Sequence, residues 1–172
     1  MVTIAIETVG EERFIRGFNR YVADMEDFSE VFEELAEDFW EREEKVFNKE
    51  GSPLRFKELT SARYIAWKSK NYPGRKIMEL TGRLKGSLTG TDQADYQDTV
   101  KIIRKKSAEF GSKVPYVHRH QMGTHGMPKR EIVQLTDQDK VRWSRIIQRW
   151  SFEKLQADVG GPYGMRGSQG LR

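Results

Sequence analysis

Asp27-Phe28-Ser29-Glu30-Val31-Phe32-Glu33-Glu34-Leu35-Ala36-Glu37-Asp38-Phe39-Trp40, running on through Val46 and Phe47 to Gly51, is the stretch that decides the fold. Phe28, Val31, Phe32, Leu35, Ala36, Phe39, Val46 and Phe47 recur at helical spacing, and acids fill the other face. Asp27 followed by Glu30 has the form of a capping box, and Gly51 that of a C-terminal stop. The pattern predicts an acidic helix of about 23 residues, on the order of 35 Å long.

Upstream of it, Thr3 to Ile6 reads as a short strand ended by Gly10. Phe14, Phe18, Tyr21 or Val22, and Met25 then mark an amphipathic helix. Downstream, Ser52 to Lys57 is a loop, and Thr60 to Lys70 a short helix stopped by Tyr72-Pro73-Gly74. Thr81 is placed to cap another short helix carrying Leu84 and Leu88, on which Gly82 and Gly86 allow a close backbone approach. Gly90 to Asp95 reads as a mobile loop, and Val100 to Phe110 as a β-hairpin. Pro115 opens a helix through Met122 with Gly123 as its stop, and a flexible loop leads to Met127.

Ile132 to Leu135 reads as a further strand. Thr136 with Asp139 repeats the capping-box form before a last helix striped by Trp143, Ile146, Ile147, Trp150 and Leu155. There is no internal repeat. The expected fold is α+β, a small, mostly antiparallel sheet packed against the long acidic helix and the C-terminal helix. One domain is expected over residues 1–159, with a Gly-rich flexible tail over 160–172.

The 172 residues contain no cysteine, which excludes disulfides, thiolate chemistry and cysteine zinc sites. Met1 to Glu7 lack the basic region and apolar length of a signal peptide. No apolar run approaches the roughly 20 residues of a bilayer span, so no membrane partner is expected. The net charge of +4 divides unevenly. Residues 1–59 hold 8 Lys/Arg against 16 Asp/Glu, and residues 60–172 hold 22 against 10, a split of −8 and +12. That split suits electrostatic steering toward a partner or toward further copies; two solvated faces of opposite sign are the plainer reading.

His118 and His120 are two apart and His125 lies between glycines, with no acid close by, so surface or interface histidines are preferred to a metal site. Ser87, Thr81 and Ser112 stand in no strand-turn-helix elbow, and neither a P-loop nor a dinucleotide fingerprint occurs. No catalytic, cofactor or metal residue is assigned. The basic second part interleaves cations with Tyr64, Trp67, Tyr72, Trp143 and Trp150, a composition that also suits nucleic acid. Trp143 and Trp150 fall on an apolar stripe, however, and the cations are spread over several elements.

One order of motifs resembles the phage virion morphogenesis (tail completion) family. It comprises Gly17-Phe18-Asn19-Arg20 before the acidic helix, and Tyr64-Ile65-Ala66-Trp67-Lys68 before Tyr72-Pro73-Gly74. Leu80-Thr81-Gly82-Arg83-Leu84-Lys85-Gly86-Ser87-Leu88 follows, then Tyr116, His120-Gln121-Met122-Gly123 and Pro128-Lys129-Arg130. The resemblance covers about residues 1–150; Phe56 stands where relatives place a Trp, and the chain runs past the family's usual end.

The resemblance implies a structural protein of the phage neck or tail top, located in the virion and assembled in the host cytoplasm. It would act in tail completion or termination and in head–tail joining, with no cofactor and no enzymatic activity. The implied partners are copies of itself in a ring, a hexamer before a dodecamer, and other neck and tail-tube proteins. Genome DNA would pass through the channel without sequence-specific binding. Candidate interface residues are Glu33, Glu37, Glu44, Arg83, Lys85, Tyr116, His118, His120, Gln121 and Arg130. The alternative is a nucleic-acid-binding or DNA-packaging accessory protein, with an enzyme third.

Overall fold

A computed structural model describes residues 11–51, 56–91, 97–124 and 126–159. The expected strand at Thr3–Ile6, most of the Gly90–Asp95 loop, His125 and the Gly-rich tail lie outside them. The described elements are α1 (Glu11–Asp24), α2 (Ser29–Asn48), α3 (Ala62–Asn71), α4 (Arg83–Thr89), β1 (Thr99–Arg104), β2 (Ser107–Ser112), α5 (Val117–Met122) and α6 (Asp137–Val159). The fold is α+β, as the pattern predicts. Its sheet, among the described residues, is the antiparallel hairpin of β1 and β2, with Thr99 opposite Ser112 and Arg104 opposite Ser107.

α2 is the axis of the fold, packing against α4, α6 and both strands. Its stripe buries Val31, Leu35, Ala36, Phe39, Val46 and Phe47. The last three join Phe56, Leu84, Leu88, Val114 and Ile132 in one apolar cluster. Each such side chain contributes roughly 1.5–3 kcal/mol by leaving water, so this cluster dominates the stability of the chain. α1 crosses α6 where Gly17 admits backbone contact: a Cβ there would lie 2.3 Å from the Asp158 carbonyl oxygen. Tyr21 and Ser151 share a hydroxyl hydrogen bond of 2.9 Å across the same pair.

Four local expectations need correction. The Asp27–Glu30 capping box does not form. Asp27 Oδ1 accepts the Ser29 N–H at 3.0 Å, while Glu30 leaves the helix end for Lys154, 2.7 Å away, and the Trp150 indole N–H. α2 also stops at Asn48, short of Gly51, which at a φ of 93° folds back to donate its N–H to the Val46 carbonyl at 2.7 Å. At α4 the N-cap is Gly82, with a φ of 90°, and Thr81, one residue before it, accepts the Arg83 N–H at 3.4 Å.

The fourth is Ile132–Leu135, which is no strand. Gln121 Oε1 accepts the N–H groups of Ile132 and Val133 at 2.8 and 3.2 Å, and its Nε2 donates to the Val133 carbonyl at 2.8 Å. One amide side chain satisfies the backbone groups that a neighbouring strand would have taken. Elsewhere the pattern holds: the Thr136–Asp139 box closes in both directions, at 2.9 and 3.2 Å, and Gly123 ends α5 at a φ of 71°.

Candidate functional site

The acids of α2 face basic groups of the same chain. Arg142 grips Asp38 through two nitrogens at 2.9 and 2.8 Å, and the Trp143 indole donates to the same carboxylate at 2.7 Å. Arg149 pairs with Glu34 and Lys154 with Glu30, so a row of cations on α6 answers the row of acids. Arg42 crosses from α2 to the start of α6, donating to Asp139 Oδ2 at 2.8 Å and to the Gln134 carbonyl. Glu33 pairs with Lys101 of β1. Glu37 and Glu44 are exposed and make no ion pair with a described residue.

Glu43 is fully buried on the core face of α2. Arg42 Nη1 donates to its Oε1 at 2.5 Å, and Oε2 has no partner among the described residues. Burial pushes its carboxyl up to about 7, with the Arg42 guanidinium pulling down and the Asp139 carboxylate adding a smaller push up. Sequence reading missed this group, although a signal was present. The apolar set breaks between Phe39 and Val46, and position 43 fills the gap at helical spacing.

Four of the remaining candidates, Arg83, Tyr116, His120 and Arg130, line an open cleft of about 620 Å³. Its walls are Leu59, Thr60 and Ser61 with Tyr64 and Lys68 of α3, the run Met78 to Leu84, and Tyr116, His120, Met127, Pro128 and Arg130. Ser61 caps α3 by accepting the Tyr64 N–H at 3.3 Å. Arg130 is buried and donates to the carbonyls of Lys57 and Glu58 at 2.7 and 3.1 Å, while its own N–H reaches the His120 carbonyl at 2.8 Å. Lys68 is buried in the same lining and donates to the Lys76 carbonyl at 2.6 Å; burial lowers its pKa.

His120 lies edge-on to Tyr116, and burial first, then the Arg130 charge, lower its pKa, so the ring is neutral near pH 7. Its buried Nδ1 has no partner among the described residues. Met78, next to Glu79 in the lining, lies in the left-handed region at a φ of 66°, a strained backbone for a residue with a side chain.

The sequence-derived candidates therefore separate into groups. Tyr116, His120, Arg130 and Arg83 share the cleft. Arg83 is drawn to its rim by Asp98, with contacts of 2.5 and 3.2 Å that hold the Asp98 carboxyl below its usual range. Lys85 sits beside it, 2.9 Å from Glu79 and 3.0 Å from Asn48. Gln121 is the backbone clamp just described, and His118 is exposed on α5. Glu33, Glu37 and Glu44 lie on α2, away from the cleft lining. Among the described residues no group of three or more His, Cys, Asp or Glu is gathered to hold a metal, and no described helix is long and apolar enough to cross a membrane.

Sequence reading also missed how little of two helices is covered. On α1, Phe14, Ile15, Phe18 and Val22 stand about half exposed, with Phe14 and Phe18 stacked at 6.1 Å. On α3, Tyr64, Ile65 and Trp67 are exposed, and Trp67 sits 5.7 Å from Tyr64 and 5.6 Å from Tyr72. The resemblance noted from the motifs has a counterpart in the comparison with known families. Residues 9–150 match the family model described as the phage virion morphogenesis family. No curated protein and no solved structure matches the chain.

Proposed function

Because this chain belongs to the phage virion morphogenesis family, we propose that it is a ring subunit at the neck or tail top of the particle, acting in tail completion and head–tail joining. Membership gives it a part in building the virion. The ring, favoured as a hexamer, would contact other neck and tail-tube proteins and let genome DNA pass without reading its sequence.

The observation that carries this reading is the uncovered apolar surface of α1 and α3. A subunit that leaves seven large apolar side chains, Phe14, Ile15, Phe18, Val22, Tyr64, Ile65 and Trp67, in contact with water is built to be covered by protein. A head-to-tail contact covers two different surfaces at once and closes into a ring when its rotation allows. Glu37 and Glu44, unpaired among the described residues, remain to steer a neighbour's cations onto α2.

The test is electron microscopy of the purified protein over a range of concentrations, with labelled antibody on intact particles. Closed rings with a central opening, and label at the head–tail junction, are expected. A protein that stays monomeric at high concentration, or label confined to the tail fibres or capsid shell, would sink the reading.

One observation favours a second reading. α3 carries no acid, and its exposed Tyr64, Trp67 and neighbouring Tyr72 form an aromatic ladder flanked by Arg63, Lys70, Arg75 and Lys76. Such a surface also suits stacking on nucleic acid. Gel shift with random duplex and single-stranded DNA from low to moderate salt decides it. Salt-sensitive binding that fails in Trp67→Ala would establish the accessory-protein reading.

A further inference from the structure

α1 presents an apolar stripe with nothing described to cover it. Phe14, Phe18 and Val22 follow one another at i, i+4 and i+8, and Ile15 flanks them. The adjoining flank of the helix is committed, because Gly17 and Tyr21, each three residues past Phe14 and Phe18, fasten it to α6. The exposed stripe is therefore not a packing face left loose; the helix is held with that stripe outward. A helix whose anchors recur at that spacing is the form of ligand that fits a groove.

The same chain carries such a groove, and no residue of α1 lines it. The cleft beside α3 offers Leu59, Met78, Leu80, Met127 and Pro128 to an apolar ligand, together with the exposed Tyr64 of α3. Its volume of about 620 Å³ is in the range that encloses several side chains. With Arg83 paired to Asp98, the rest of its charged lining is Lys68 and Arg130 against Glu79, an excess of positive charge. α1 is neutral as a whole, but its order is polar: Glu11 and Glu12 in the first turn have the sign complementary to the cleft, and Arg13, Arg16 and Arg20 follow them.

We propose that α1 of one copy lies in the cleft beside α3 of the next, and that this is the head-to-tail contact of the assembly. The proposal rests on the ring reading and names the surfaces that the ring uses. A second copy is favoured over any other occupant because the two unfilled surfaces belong to one chain. A single repeated contact then fills both on every subunit, with only the two terminal copies of an open chain left unfilled until the ring closes. The stripe supplies the apolar anchors, and charge fixes which end of the helix enters first.

The chain contains no cysteine, so introduced thiols are the only ones present. Phe18→Cys and Trp67→Cys are both at exposed positions and leave the core untouched. Mixing the two single variants and adding a short bismaleimide linker is expected to give covalent dimers. The chain carrying both is expected to give a ladder that ends at the ring size. Either single variant alone should give no covalent dimer.

In parallel, Phe14→Glu with Phe18→Glu should lower the assembled fraction about tenfold or more in mass photometry, with an unchanged melting temperature of the subunit. Four results would overturn the proposal. Rings without mixed cross-links place the contact elsewhere and leave the ring reading standing. Phe18→Cys dimerising by itself means that α1 pairs with α1. Unchanged rings in the double glutamate variant mean that the stripe is covered within its own chain. A wild-type chain that never assembles removes the ring reading and the contact together.

Discussion

Glu43 occupies the position one turn past Phe39 and one turn before Phe47, so the stripe that makes the core also carries a carboxyl group. An unfolded chain titrates this group near the ordinary 4.5, and the folded chain near 7. Between those values the native state keeps a proton that the unfolded state has released, and stability falls as pH rises through that window. Glu43→Gln removes the titration but also removes the charge beside Arg42. It is expected to be more stable than the parent at pH 8, by about 1–3 kcal/mol, with the gap narrowing at pH 5. Urea unfolding at the two pH values measures it; a gap independent of pH would mean that Glu43 titrates alike in both states. Gln121 is the other residue with a large share of the local structure. Gln121→Ala leaves two N–H groups and a carbonyl near Ile132 without their partner, and a loss of about 2–4 kcal/mol is expected. A loss under about 1 kcal/mol would show that water replaces the amide at no great cost. Gln121 had no local signal, and Glu43 had only the gap it fills in the apolar set. One acid among many on an acidic helix, and a Gln just before a helix-ending glycine, both look like surface until the partner segment is in place.

At the scale of elements, legibility followed the range of the interaction. α1, α2, α5, α6 and the hairpin each repeat their own apolar pattern, or bring their own turn and cap residues, within a short run of sequence. They were readable because nothing distant decides them. Ile132–Val133 has the apolar residues of a strand and the buried Ile132 that such a pattern predicts, yet its hydrogen-bond partner is a side chain on α5. Only the fold supplies that information. The cap of α2 failed for the same reason, since Lys154 and Trp150 reach Glu30 from α6. The crossing of α1 on α6 gives a sharp test of an element. Gly17→Ala puts a methyl carbon 2.3 Å from the Asp158 carbonyl oxygen, inside any real contact distance. α1 should lift from α6, and amide exchange over residues 11–24 should quicken by about tenfold or more while α2 and α4 stay protected. Unchanged exchange over α1 would mean that the crossing relaxes without separating.

For the whole molecule, the opposite signs of the two ends of the sequence resolve largely inside the subunit. Arg142, Arg149 and Lys154 on α6 pair with Asp38, Glu34 and Glu30 on α2. A single exposed pair contributes only about 0–1 kcal/mol, so this row registers α6 along α2 more than it stabilises the fold. The candidate site was legible in part for the same reason. The motifs located its members, Tyr116, His120, Arg130 and Arg83, while the apolar walls that make it a cleft come from segments as distant in the chain as Leu59 and Met127. With most acids already engaged, the assembly is expected to weaken between low and molar salt without disappearing, because screening acts on exposed charges and spares apolar contact. Glu37→Lys with Glu44→Lys should slow assembly more than it lowers its final extent, as steering charges do. Mass photometry across the salt series, with a time course for the variant, measures both. Complete loss of the assembly in molar salt would place its free energy in charge pairs.

The Gln121 clamp has a practical consequence. Arg130 N–H on the His120 carbonyl, and Gly123 packed against Lys129, fasten the same base from the other side. The residues between form an arc whose two feet are pinned independently of its length. Doubling such an arc costs only about 0.6 kcal/mol, so a short epitope tag spliced in after Gly126 should leave the melting temperature of the subunit within a few degrees. Gly126, Met127 and Pro128 stand in the cleft wall, so the same tag obstructs the cleft. Differential scanning fluorimetry and particle assembly then read out two separate properties of one insertion. The arc offers a splice point at which a folded subunit can be poisoned for assembly, and a phage complemented with it should stall with its intermediates intact.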